Sequence, residues 1–184
     1  MQHSPSIFSE DKETYSLKIS DVSSEDLNTG LWLVLAGVND IPPHIALISE
    51  GKYFSVSARK VEVGVELSTF LKAIGRRSIP TLFVGIKIHP SGGIRGALNA
   101  FERYPTLGSG PHSCLWPVRD FFTKAFSSEY AKANLVFELL ALAQKQQILM
   151  ECRSMFVDGE TITLLKYTSE QIRERINSLL KVNE

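Results

Sequence analysis

Only two cysteines, Cys114 and Cys152, occur in 184 residues, so no disulfide framework holds this chain together. No Cys-x-x-Cys or His-x-x-x-His pair is present, and with four histidines a closed structural zinc site would have to draw on scattered residues. No metal is therefore expected. Charge of one sign is missing too. The 20 Lys and Arg balance the 20 Asp and Glu, which leaves no basic excess to hold a phosphate backbone and makes nucleic acid an unexpected partner. No apolar run approaches the roughly 20 residues that cross a bilayer, so no membrane span is expected. The start of the chain carries Glu10, Asp11 and Glu13 and lacks a basic segment followed by an apolar one. Neither a secretory nor a transit signal is expected there, and the expected compartment is the cytoplasm. A Gly-x-x-x-x-Gly-Lys loop, a dinucleotide fingerprint and a Gly-x-Ser-x-Gly elbow are all absent, which argues against nucleotide cofactors and serine hydrolase chemistry.

What is present is 43% hydrophobic and 22% charged residues, the balance of one globular domain with a real core. Residues 1–12 are polar, include Pro5 and show no periodicity, so they read as a flexible arm, with a single domain over 13–184. Thr14 to Ser20 alternates as a half-buried strand does, and Ser23 with Asp26 marks a capped turn. The unbroken run Leu31 to Ala36 suits a strand covered on both faces, at the sheet centre. His44 to Ile48 and Tyr53 to Ser57 flank Glu50-Gly51 as an antiparallel hairpin, which Val61 to Val63 extends. Leu67, Phe70, Leu71 and Ile74 have helical spacing up to Gly75, and Leu82 to Ile88 is another strand. Helices are expected from Ser91 to Tyr104, from Cys114 to Phe126 and, Leu-rich and apolar on several faces, from Glu129 to Met150. Met155 to Val157 and Thr161 to Tyr167 then read as a hairpin around Asp158-Gly159, and a capped helix closes the chain near Val182. The fold class is α+β, an antiparallel sheet packed against helices.

Cys114 is the residue most open to chemistry. A thiol at a helix N-terminus faces the positive end of the helix dipole, which favours thiolate and lowers its pKa. The first N–H groups of such a helix also suit a developing oxyanion. A nucleophilic cysteine needs a base, and His44, at the start of a strand after Pro42-Pro43, is the first choice; His112, two residues before Cys114, is the alternative. The same residues have plainer readings, Cys114 as core filler and His44 as a histidine satisfied at a strand end. Cys152 reads as core, and the basic pairs Arg59-Lys60 and Arg76-Arg77 as solvated edges. Ser91-Gly92-Gly93 reads as a helix cap or as an anion-binding turn.

The order of these pieces resembles a known group. A histidine-led strand (Pro43-His44-Ile45-Ala46-Leu47-Ile48), a hairpin turn (Glu50-Gly51-Lys52-Tyr53-Phe54), a helix, and a loop leading into a cysteine-headed helix (Ser113-Cys114-Leu115-Trp116) are similar to the circularly permuted papain-like enzymes. These include lecithin:retinol acyltransferase-like enzymes and de-SUMOylating isopeptidases, in which histidine precedes cysteine. The likeness runs from Leu31 to Phe126. It implies a permuted papain-like fold, a nucleophile at Cys114, a general base at His44, no cofactor, and acyl-enzyme chemistry on an amide, isopeptide or ester. Members often carry Asn before the cysteine, where Ser113 stands here, and a second polar residue on the strand after the histidine, where Ser55 and Ser57 stand.

The expectation is therefore a thiol-dependent hydrolase or acyltransferase with Cys114, His44, Ser55 and His112 as site residues and an acyl or peptide-like substrate, a protein among the options. The rival from another class is a non-enzymatic interaction module that forms a homodimer through the apolar helix 129–150.

Overall fold

Six apolar residues in a row need cover on both sides, and Leu31–Ala36 has it. A computed structural model describes residues 8–10, 14–87, 101–104 and 113–181. In it this run is strand β4, the middle of a seven-stranded sheet. In chain order the strands are β1 (Phe8–Glu10), β2 (Thr14–Lys18), β3 (Ser20–Asp21), β4, β5 (His44–Ser49), β6 (Lys52–Val56), β7 (Val61–Glu66), β8 (Thr81–Ile86), β9 (Leu149–Met155) and β10 (Thr161–Leu165). The helices are α1 (Leu67–Gly75), α2 (Leu115–Ala125), α3 (Val136–Lys145) and α4 (Ser169–Lys181). The large sheet runs β3-β9-β8-β4-β5-β6-β7, antiparallel except for the β3–β9 pair, and a small sheet runs β1-β2-β10. The chain is α+β, as expected from its pattern.

Alternation along the central strands sends side chains to two cores. Leu33, Leu35, Ile45, Leu47, Leu82 and Val84 meet α2 and α3 on one face, and Leu17, Ile162 and Leu164 of the small sheet close the same core. Trp32, Val34, Ala46, Ile48 and Phe83 meet Leu67, Phe70 and Ile74 of α1 on the other. Ser23 and Asp26 cap each other before a 3-10 turn, as predicted. The β5–β6 hairpin closes with Glu50 at φ 49° and Gly51 at φ 69°, the two left-handed residues that a tight primed turn requires. This turn puts His44 and Ser55 at the same end of the sheet.

Three expectations need correction. The apolar stretch 129–150 is not one helix: Ser128–Lys132 is a 3-10 turn, Leu135 is extended at φ −131°, and α3 begins at Val136, with Glu138 accepting from the backbone N–H of Asn134 and Leu135. The chain then reverses at Gln147 (φ 56°), and Leu149 onward pairs with β8. The apolar face of α3, with Leu139, Leu140 and Ala143 fully buried, is used inside this chain. Nor do β9 and β10 form an Asp-Gly hairpin, since β9 joins the large sheet and β10 pairs with β2 in the small one. Third, Phe8–Glu10, inside the segment expected to be a loose arm, pairs antiparallel with β2. Of the helix expected at Ser91–Tyr104, only the turn Phe101–Arg103 lies within the described residues.

Candidate active site

Cys114 stands immediately before α2, with helical backbone angles (φ −59°, ψ −18°) and Ser113 accepting the first turn's hydrogen bond from Trp116 N–H at 3.0 Å. Pro117 sits in the first turn, where a helix has no use for its missing N–H. The helix is anchored by Leu115, Val118, Phe121 and Phe122 in the core, so the cysteine is held at the end of a rigid element. α2 lies against β5, and the backbone N–H of Ile45, with those of Cys114 and Leu115, is directed to the sulfur.

His44 is the first residue of β5, paired with Ala36 of β4. Its side chain shares the strand face of Ala46 and Ile48, and at this end of the sheet the residue lines two recesses. One is a cleft of about 270 Å³ bounded by Cys114 and Ser113 from α2, Pro42 and Pro43 before β5, Ala58 from the β6–β7 turn and Ile172 and Ile176 from α4. The other lies on the α1 side. Cys114 and His44, paired in the sequence reading, thus share one cleft.

Ser55 stands behind the imidazole. His44 Nε2 and Ser55 Oγ are 2.8 Å apart, and Ser55 is 1% exposed. The Ser55 hydroxyl also bonds the phenolic oxygen of Tyr53, whose ring stacks on Phe70 at 4.1 Å. The contact engages Nε2 with a hydroxyl that can accept from it or donate to it according to the tautomer, and leaves Nδ1 as the ring nitrogen not bonded to Ser55. Glu62, opposite Ser55 on β7, supplies a negative charge nearby and is itself paired with Lys60 at 2.6 Å.

The electrostatics differ from the expectation. Burial pushes the Cys114 thiol above its ordinary value, and the three N–H groups at the sulfur pull it back only in part. Burial lowers His44 from 6.5 to about 4 against the upward pull of Glu62. At neutral pH the site holds a thiol and a neutral imidazole, not the thiolate that the helix dipole alone would give.

His112 lies outside the described residues, as do Ser91-Gly92-Gly93 and the loop 105–112. Cys152 is 3% exposed with its thiol pushed up to about 12 by burial, in keeping with a core residue. Among the described residues no group of three or more His, Cys, Asp or Glu is placed to hold a metal ion, and no helix is long and apolar enough to cross a membrane. Ile172 and Ile176, which close the cleft from α4, are not among the site residues expected from the sequence, because nothing local to that helix shows what they cover. Comparison with protein-family models, with curated proteins and with solved structures gives no match to this chain.

Proposed function

We propose that this chain is a thiol-dependent acyl-transfer enzyme of the permuted papain-like kind, acting on an amide, isopeptide or ester. One observation supports the reading: Cys114 and His44 line a single cleft, with Ser55 bonded to Nε2 of the imidazole. In this scheme a carbonyl enters the cleft and Cys114 Sγ attacks its carbon while the thiol proton passes to His44 Nδ1. The carbonyl electron pair moves onto oxygen, and N–H groups at the start of α2 receive the charge. Collapse expels the leaving group, which takes the proton back from the imidazolium, and a thioester remains on Cys114. His44 then takes a proton from water or another nucleophile as it attacks the thioester, and the thiol is restored. A buried imidazole of pKa about 4 is a weak base but is neutral throughout the physiological range, so it is always ready to accept.

The test is acylation by p-nitrophenyl acetate. The reading expects a burst of nitrophenolate and an acetyl group on Cys114, both lost in Cys114→Ala and strongly slowed in His44→Ala. Acetylation elsewhere, or an equal rate in His44→Ala, overturns it.

A further inference from the structure

The second recess lined by His44 has a volume of about 580 Å³. Tyr53, Phe70 and Ile74 form its apolar floor, and two hydrogen-bonded turns bring cations to its rim. In the β6–β7 turn, Ser57 N–H donates to the Lys60 carbonyl at 2.9 Å, and Ser57 Oγ accepts from the N–H of Arg59 at 3.3 Å and of Lys60 at 3.1 Å. After α1, Ile79 N–H returns to the Ile74 carbonyl at 3.0 Å through Ser78 in the left-handed region (φ 47°), which sets Arg76 and Arg77 over the same recess. Lys60 is paired with Glu62, whereas Arg59, Arg76 and Arg77 have no ion-pair partner among the described residues. Helix polarity gives Arg76 and Arg77 a local reason to stand at the end of α1. It gives none for Arg59, which comes from a different element and reaches the same rim. Arg59 also lines the Cys114 cleft, so the two recesses share a wall at His44, Ser57 and Arg59.

We propose that this recess binds an anionic group, a carboxylate or a phosphate, carried by the substrate on the far side of His44 from Cys114. Three guanidinium forks over an apolar floor match the planar, bidentate chemistry of such groups, and the low-dielectric floor strengthens the attraction. Asp40 and Glu62 also line the recess, and their charge disfavours an anion beside them, which leaves the arginine side as its seat. The place of this recess in catalysis rests on the Cys114–His44 reading; its ability to bind an anion does not.

The experiment separates the two. Pyrophosphate and an N-acetylated, amidated tetraglutamate peptide are titrated into the full chain carrying Cys114→Ala at low ionic strength, by calorimetry and by the imidazole proton resonances. One probe or both should bind saturably and shift the His44 resonance, and Arg59→Gln/Arg76→Gln/Arg77→Gln should weaken that binding about tenfold or more. Lys132→Gln/Lys145→Gln, remote from the recess, should leave it unchanged. Tighter pyrophosphate binding assigns a phosphate, tighter peptide binding a carboxylate. Should the triple variant lose its fold, as judged by circular dichroism, the three single variants carry the test, each weakening binding by several-fold. Absence of saturable binding, binding insensitive to all three arginines, or an unmoved His44 resonance overturns the proposal. Anion binding in a protein that p-nitrophenyl acetate fails to acylate would instead remove the dyad and keep the recess.

Discussion

His44 Nε2 lies 2.8 Å from Ser55 Oγ, and the serine is fully enclosed between β5, β7 and the Tyr53 ring. A buried hydroxyl in that position holds the ring's rotation.

Ser55→Ala should therefore slow acylation of Cys114 by about ten- to a hundredfold through kcat with little change in KM, since the serine touches the base and not the substrate. Ser55→Thr, which keeps the hydroxyl, should recover most of the loss. Loss of the buried hydrogen bond should cost about 1–2 kcal/mol of stability, read from urea unfolding. A fall in KM-dependent binding with kcat intact would contradict the positioning role.

The lowered His44 pKa gives activity and stability a defined pH window. The base must be neutral, so kcat/KM should hold from pH 7 down to about 5 and fall as pH approaches about 4, not near 6.5 as for an unperturbed imidazole. Because the folded pKa lies below the unfolded one, the unfolded chain binds the extra proton. His44 thus contributes stability that is fully present above 6.5 and is lost progressively as pH falls to about 4. Urea midpoints at pH 7 and pH 5 should differ more for the wild type than for His44→Asn.

Ile172 and Ile176 of α4 close the cleft beside Cys114. Both are half-buried, so Ile172→Ala/Ile176→Ala should cost only about 1–3 kcal/mol. It should also speed alkylation of Cys114 by iodoacetamide several-fold, measured by mass spectrometry at pH 8. Cys152, sealed in the core, should stay unlabelled in both proteins.

Gly37 precedes the loop that carries Asp40 to the cleft, and it has φ +67°. A Cβ there would stand 2.7 Å from Asp40 Oδ2. Gly37→Ala should destabilise the protein by about 1–2 kcal/mol through the left-handed backbone alone. Removing the carboxylate as well, in Gly37→Ala/Asp40→Ala, should relieve the contact but not that backbone cost, and thermal unfolding of the single and double variants separates the two contributions.

The parts legible in the sequence were those with local signals. Glu50-Gly51 between alternating runs marks the hairpin that bears His44 and Ser55, and the capped turn at Ser23 and the last helix at Thr168 and Gln171 show their own partners. Where local and tertiary preferences diverge, the reading failed. Leu149–Met155 is built largely of good helix formers, yet Cys152 and Ser154 alternate inward because an unpaired edge of β8 was waiting for them. Asp158-Gly159 lies at a bend, and the strands on either side of it find partners in different sheets. The thiol was misjudged for a related reason: the dipole of α2 is visible in the sequence, whereas the burial that outweighs it comes from packing against β5 and α4. Likewise, nothing in Arg59-Lys60 or Arg76-Arg77 shows that two separate turns bring them to one rim.

Of the three backbone N–H groups at the Cys114 sulfur, the one from the sheet belongs to Ile45, the neighbour of His44 in the chain. Helix and strand are clasped to each other beside His44, so the seat of the sulfur against β5 is gauged across a single peptide unit. Mutations scattered through either core would then change how many molecules are folded, whereas damage to that clasp would shift the sulfur against β5 in a molecule that stays folded.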